Sequence, residues 1–547
     1  MNKYIHACFW GIILFAGCSW KAPSAITFFS SDGEARNLTA LSKRAQSGFI
    51  PLGKTASYNY TTDSLISIPH DSSFSVSYKP QNTLRIPSAL SIEFEKDSVF
   101  ALPADISFLQ PDNPQKIRYA MPVNSDAIQK ITVNNKNTVQ SDASVTLFDM
   151  KIEPRRYGYS RSTDEVFITP FLHGETKPNG GLFLRINPPE YNGLDFVLQL
   201  NGLSGGVIFG TDDSRFKYLS GGGNSAKSIT IPAGLLTNSP AVLFEGESDT
   251  VLLVKAPRPV FPNEPVSADP GVILAMPQSS WRNARYEIYC WDIFPSVLIF
   301  DISDYDIQDR MFKRLAFFSE KKGYRGKIVS DAELEDKHGW NAHDYDAVTL
   351  AAFFNAVKKI SFTLLPEEQE LEHILTANSI ISVNTDGTYK AGKGAIVSVS
   401  RGSDQALRAR FMAHECFHGI FFIDEEFRNF AARRYAALDT KAKSFLRSYF
   451  DYLAYDISDS FLLLNEFMAY CLQQSARQSS VYFGKQAPEI IEKSDWRKSV
   501  LPPKDEETES WPLLASVFSK ETEAFSEYVK QRWDLAAGRV WRIRSEK

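Results

Sequence analysis

Two patterns of apolar and polar positions meet near residue 265 of this chain. Before it, short stretches such as Phe74-Ser75-Val76-Ser77-Tyr78, Ser91-Ile92-Glu93-Phe94 and Ser228-Ile229-Thr230-Ile231 alternate, and Val251-Leu252-Leu253-Val254 is a short apolar run. Glycine, proline and asparagine cluster between them, as at 177–181 and 221–224. Period two sends successive side chains to opposite faces of a pleated strand, so many short strands with turn signals predict β-sandwich or jelly-roll modules. We divide these into residues 18–138 and 139–262. Pro257, Pro259, Pro262, Pro265 and Pro270 then predict a stiff linker. Beyond it the period becomes three to four. Helices are expected over 304–322, 343–359, 366–377, 425–438 and 511–541, with a half-buried strand at 395–400. The expected fold class is multidomain: N-terminal all-β sandwich-like modules followed by a mainly α (α+β) domain over 263–547.

Composition changes this picture little. At 43% hydrophobic and 23% charged, the chain has the make-up of an ordinary globular protein. A net charge of −5, with no concentrated basic tract, argues against a nucleic-acid partner.

The chemistry concentrates in His414-Glu415-Cys416-Phe417-His418. Leu407, Phe411, His414, His418 and Phe421 recur at helical spacing, and Ser403 or Asp404 can cap the helix start. On a helix, residues four apart share a face, so both imidazoles can meet one metal ion. Neutral histidine nitrogens suit Zn²⁺, and Glu415 beside them can take a proton from a water that the metal activates. With 8 histidines in 547 residues, a chance H-E-x-x-H is on the order of one in a hundred. Arg408 and Arg410 are expected away from the buried face. The strand at 395–400, just ahead of this helix, is the expected edge for an extended peptide.

A third metal ligand is expected, and two carboxylates compete. Asp424 lies six residues past His418, but Phe421 stands where the chain would need glycine to turn back. Asp424 reads better as the cap of the next helix. Glu466 sits in an apolar run from 461 to 472 that Ser458 or Asp459 can cap. A charge there needs a counter-charge or a metal. H-E-x-x-H followed by Asn465-Glu466-x-x-Ala469 resembles the gluzincin group of zinc metallopeptidases. The resemblance covers about residues 395–475 and rests on the two short motifs. It implies a zincin-like catalytic domain, zinc held by His414, His418 and Glu466, Glu415 as general base, and a peptide or protein substrate. Members with N-E-x-x-S-D carry an aspartate that orients a ligand histidine; this chain has Tyr470 in its place. Tyr470 lies one turn past Glu466 and can donate to an oxyanion. Tyr449, Tyr452, Tyr455, His338, His343 and His373 compete for that role. The segment from His338 to Tyr345 can line a cleft or hold a second metal, or Asn341 can cap a helix.

The N-terminus carries Lys3, an apolar stretch from Ile5 to Phe15, then Gly17-Cys18. This reads as a signal peptide over 1–17, too short to span a membrane. Phe15-Ala16-Gly17-Cys18 resembles the bacterial lipobox. That implies cleavage before Cys18, lipidation of Cys18 and a membrane anchor on the extracytoplasmic face of the cell envelope. Cys290, Cys416 and Cys471 then remain, and Cys416 and Cys471 can pair across two helices. Tyr157, Tyr159 and Tyr191 can stack on sugars, which makes carbohydrate a candidate ligand of the β modules. The competing classes are a non-catalytic surface adhesin with a degenerate zincin domain, and hydrolysis of a non-peptide cell-wall amide.

Overall fold

The computed structural model describes strand segments between residues 26 and 256, then 261–337, 339–492 and 504–545. The lipobox with Cys18, and also His338, lie outside the described residues. The protein is multidomain and α+β, with β-sheets in its N-terminal region and a mainly helical C-terminal region. The chain divides into two compact units, Met1–Arg156 with Arg161–Pro170, and Tyr157–Ser160 with Phe171–Lys547.

In the first unit the strand Ser72–Gln81 pairs antiparallel with Ser144–Pro154 on one side and Lys116–Pro122 on the other. Its sheet thus runs past residue 138. Phe74, Val76 and Tyr78 are buried, and so are Ser75 and Ser77 between them. The period-two pattern therefore marks two covered faces, one filled by large side chains and one by small ones.

In the second unit an antiparallel six-stranded sheet runs in the order Leu172–Thr176, Leu182–Ile186, Val242–Glu247, Ser204–Gly210, Arg215–Tyr218, Ile543–Ser545. Its last strand comes from the far end of the chain. The proline-rich stretch is not a free linker here. Val266–Ala268 is a strand, Pro270 opens the helix Pro270–Ala275, and Arg282 donates to the carbonyls of Pro259, Phe261 and Glu264.

The helical region is built on a five-stranded sheet in the order Val266–Ala268, Tyr286–Trp291, Phe294–Ile302, Ala395–Ser400, Ala342–Asp346. One face packs on the helices Tyr305–Ser319, Ala347–Lys359 and Pro366–Ala377 through Phe300, Phe312, Tyr345, Leu350 and Leu371. The other face carries the motif helix, Gln405–Ile423.

Ala395–Ser400 is buried throughout and paired on both sides, parallel to Phe294–Ile302 and antiparallel to Ala342–Asp346. It is an inner strand and cannot be the edge for a peptide. The serines that looked solvent-facing are satisfied inside: Ser398 Oγ lies 2.9 Å from His343 Nδ1 and accepts from Gln308 Nε2 at 3.0 Å. The edge strand beside it is Ala342–Asp346. The helix expected from residue 343 starts at Ala347, where Asp346 accepts from the Thr349 amide at 2.7 Å. His343 to Asp346 are strand instead, because they complete the ladder beside the inner strand.

Gly419 fixes how closely the motif helix sits on this sheet. A Cβ there would meet Val297 Cγ1 at 2.9 Å and Val397 Cγ1 at 3.6 Å. Valine is stiff about χ1, so neither neighbour yields easily. Gly419→Ala gains roughly 1 kcal/mol of helix propensity but overpacks the contact by about 1–3 kcal/mol. A lower melting temperature is expected; an unchanged or higher one would show that the contact is not limiting.

Candidate metal centre

The motif helix begins at Asp404, whose carboxylate accepts from the Leu407 amide at 2.8 Å. It is buried from Met412 to Phe421 because it lies between the sheet and the helix Ser460–Leu472. Arg410 is exposed as expected. Arg408 is not: it is buried, with Nη2 2.6 Å from Asp301 Oδ2. The helix Ser460–Leu472 is capped by Asp459 on the Phe461 amide at 2.8 Å and carries Glu466, which is 2% exposed.

These two helices bring His414, His418 and Glu466 together, one ligand atom from each lying within 4.8 Å of the others. His414 Nε2 is 3.6 Å from Glu466 Oε2, and His418 Nε2 is 3.8 Å from Glu466 Oε1. Both separations exceed a hydrogen bond. They are close to the edge, about 3.4 Å, of a tetrahedron with zinc–ligand bonds of about 2.1 Å. His414 Nδ1, both ring nitrogens of His418, Glu415 Oε2 and Glu466 Oε2 are buried without a hydrogen-bond partner. The orphaned His418 Nε2 and Glu466 Oε2, converging with His414 Nε2, fit a shared cation.

Glu415 is buried one residue from His414, and with His418 and Asp344 it forms a second close donor group. Asp344 comes from the edge strand, its Oδ2 3.8 Å from His418 Nδ1. Glu320, at the end of Tyr305–Ser319, accepts from Trp340 Nε1 at 3.0 Å. Burial raises all four carboxyls. Glu466 rises to about 7, the His418 ring and the Tyr455 hydroxyl working against the burial. Glu320 rises to about 8, with Glu466 adding to burial. Glu415 and Asp344 are pushed well above the carboxylate range by burial and then by their neighbouring carboxylates. Burial lowers His414 and His418 to about 4, which leaves both neutral and able to ligate.

Tyr470 stands edge-on to His414, ring centroids 5.0 Å apart, and both Tyr470 and the buried Tyr455 pack against Phe450. Tyr449 points its hydroxyl to Tyr482 at 2.5 Å. Tyr452 is half-buried on the same helix as Tyr449. His373 is exposed on Pro366–Ala377, and His343 stacks on Phe312 on the opposite face of the sheet. Asp424 caps the helix Glu425–Ala437 and takes no place among the three donors. Cys416 and Cys471 are buried free thiols and Cys290 a half-buried one, so the suggested pair is not formed. Sequence reasoning missed Asp344 and Glu320. Asp344 lay in a segment singled out for its histidines; Glu320 lay unremarked near the end of the helix expected over 304–322.

Compared with protein-family models and with curated proteins, this chain matches none of them. Among the described residues, no helix is long and apolar enough to cross a membrane.

The buried groups fix a pH response of the metal-free protein. Carboxyls raised on folding contribute stability that is lost as pH rises from about 4.5 toward the folded values of about 7 and 8 at Glu466 and Glu320. The lowered histidines act oppositely, and only as pH falls from 6.5 toward about 4. Between pH 6.5 and 8 the carboxyls act alone. The melting temperature of metal-free protein should fall across that window, and zinc should flatten the fall. A flat metal-free curve would mean that the carboxyls do not share the buried cluster.

Proposed function

We propose that this chain is a membrane-anchored extracytoplasmic zinc metallopeptidase of gluzincin type. The observation that carries the reading is the convergence of His414, His418 and Glu466, with Glu415 buried beside them. The motif helix packed under a sheet with an antiparallel edge strand supports a zincin-like domain. That edge, Ala342–Asp346, replaces the inner strand as the site where an extended peptide adds by backbone hydrogen bonds.

Zinc, when bound, polarises the scissile carbonyl and acidifies a water beside it. Glu415 takes the proton of the attacking water and passes it to the leaving amine. Its raised proton affinity, caused first by burial, suits a group that holds a proton between those steps. Tyr470 donates its hydroxyl to the oxyanion of the tetrahedral intermediate.

The lipid anchor rests on Phe15-Ala16-Gly17-Cys18. Acyl chains at Cys18 supply a stable attachment that one chain alone would not. Cys18→Ala should move the protein from the membrane fraction to the soluble fraction; retention in the membrane would remove the lipobox reading.

Full-length chain, assayed for metal by mass spectrometry, should carry one zinc, lost or much weakened in Glu466→Ala. Glu415→Gln and Tyr470→Phe should keep the zinc and lower cleavage of a peptide library by roughly 100-fold or more. Absence of zinc from the wild type after refolding with zinc would sink the enzyme and turn attention to the β modules. Cleavage of peptidoglycan but not of peptides would leave a hydrolase with another amide substrate.

A further inference from the structure

We propose that Asp344 is the positioning residue of the metal centre, fixing the tautomer and orientation of His418. The inference rests on the zinc reading and goes beyond its three ligands. The edge strand alternates, so His343 and Tyr345 enter the core against Phe312 while Asp344 turns to the motif helix. His418 is wholly buried, and its two nitrogens face two different carboxylates. Nδ1 lies 3.8 Å from Asp344 Oδ2, and Nε2 lies 3.8 Å from Glu466 Oε1.

A neutral imidazole carries one N–H. With the proton on Nδ1, the N–H points at Asp344 and the Nε2 lone pair points at the shared donor position. The other tautomer would aim an N–H at that position and leave Nδ1 facing a carboxylate with nothing to donate. Asp344, ionised beside a bound cation, therefore selects the ligating tautomer. The Nδ1 proton would be made more acidic by a cation held at Nε2, which would strengthen its attraction to the Asp344 carboxylate.

Asp344 is itself held from the ligand helix, where Asn465 Nδ2 donates to its Oδ2 at 3.5 Å. Neighbouring residues Asn465 and Glu466 thus act at two depths: Glu466 reaches the cation, and Asn465 reaches the group that orients His418. Glu415 lies in the same close donor group as Asp344 and His418, so loss of activity alone would not isolate the role. Zinc affinity does isolate it.

The test is zinc titration of full-length wild type, Asp344→Ala and Asp344→Asn against a competing chelator, with melting curves of each metal-free protein. The alanine variant should bind zinc roughly 10–100-fold more weakly. Asparagine keeps an acceptor oxygen and should recover part of that loss. The metal-free melting temperature should stay level or rise in Asp344→Ala, because a carboxylate leaves a crowded buried cluster. Wild-type zinc affinity in Asp344→Ala would overturn the inference, as would equal losses in both variants accompanied by a lower metal-free melting temperature. If the wild type takes no zinc, the metallopeptidase reading itself falls.

Discussion

The helical region turns on one electrostatic constraint: four carboxyl groups and two neutral imidazoles share a buried site. Ionised carboxylates out of water cost several kcal/mol each unless a counter-charge or a proton answers them. The lysine beside this cluster, Lys321, sits over the Trp340 ring at 3.1 Å, and burial lowers its own pKa to about 8. It faces Glu320 and cannot answer four groups. Protons can, at the expense of ligand capacity; a dication can with ligand capacity kept. Both helices are apolar around these residues, and the surrounding protein is built to hold the donors out of water rather than to neutralise them.

Much of this was legible in the sequence, for local reasons. The motif helix and the helix at 460–472 announce themselves through capping residues and apolar positions, and the structure caps them with Asp404 and Asp459, each one of the two candidates. Pro366–Ala377 is legible through its leading proline. The strands around Phe74, Ile92, Ile229 and Leu252 are legible through period two or a short apolar run. Pairing order is not local, and there the reading failed. Ser398 and Ser400 looked solvent-facing, whereas Ser398 bonds to His343 and Gln308 within a core strand. Asp344 reaches His418 from 74 residues upstream, in a strand whose sequence runs straight into a helix pattern. Tyr470 left the orienting group unassigned; only the fold supplies a carboxylate near His418 Nδ1.

The remaining question is what keeps a helix full of buried polar groups from shifting when its charges change. Asp301, on the strand Phe294–Ile302, is fully buried and accepts from Arg401 at 2.8 Å and Arg408 at 2.6 Å. Arg408 stands on the motif helix, and its other amine donates to Leu274 O at 3.1 Å. That carbonyl belongs to the helix Pro270–Ala275, whose cap Asp269 accepts from the Gly271 amide and the Arg542 amide, each at 2.8 Å. Gly271 lacks a Cβ where Ile543 O would stand only 1.9 Å from one. The end of the chain is therefore clamped to the base of the motif helix, and continues as the last strand of the β-sheet beside Arg215–Tyr218. Removing one partner of a buried ion pair costs about 3–5 kcal/mol, because the other charge is left stranded. The ionic brace sits at the helix start, about two turns from His414 at the usual 3.6 residues per turn. It fixes the helix without placing a competing cation among His414, His418 and Glu466, and so separates the charges that hold the scaffold from those of the proposed metal site.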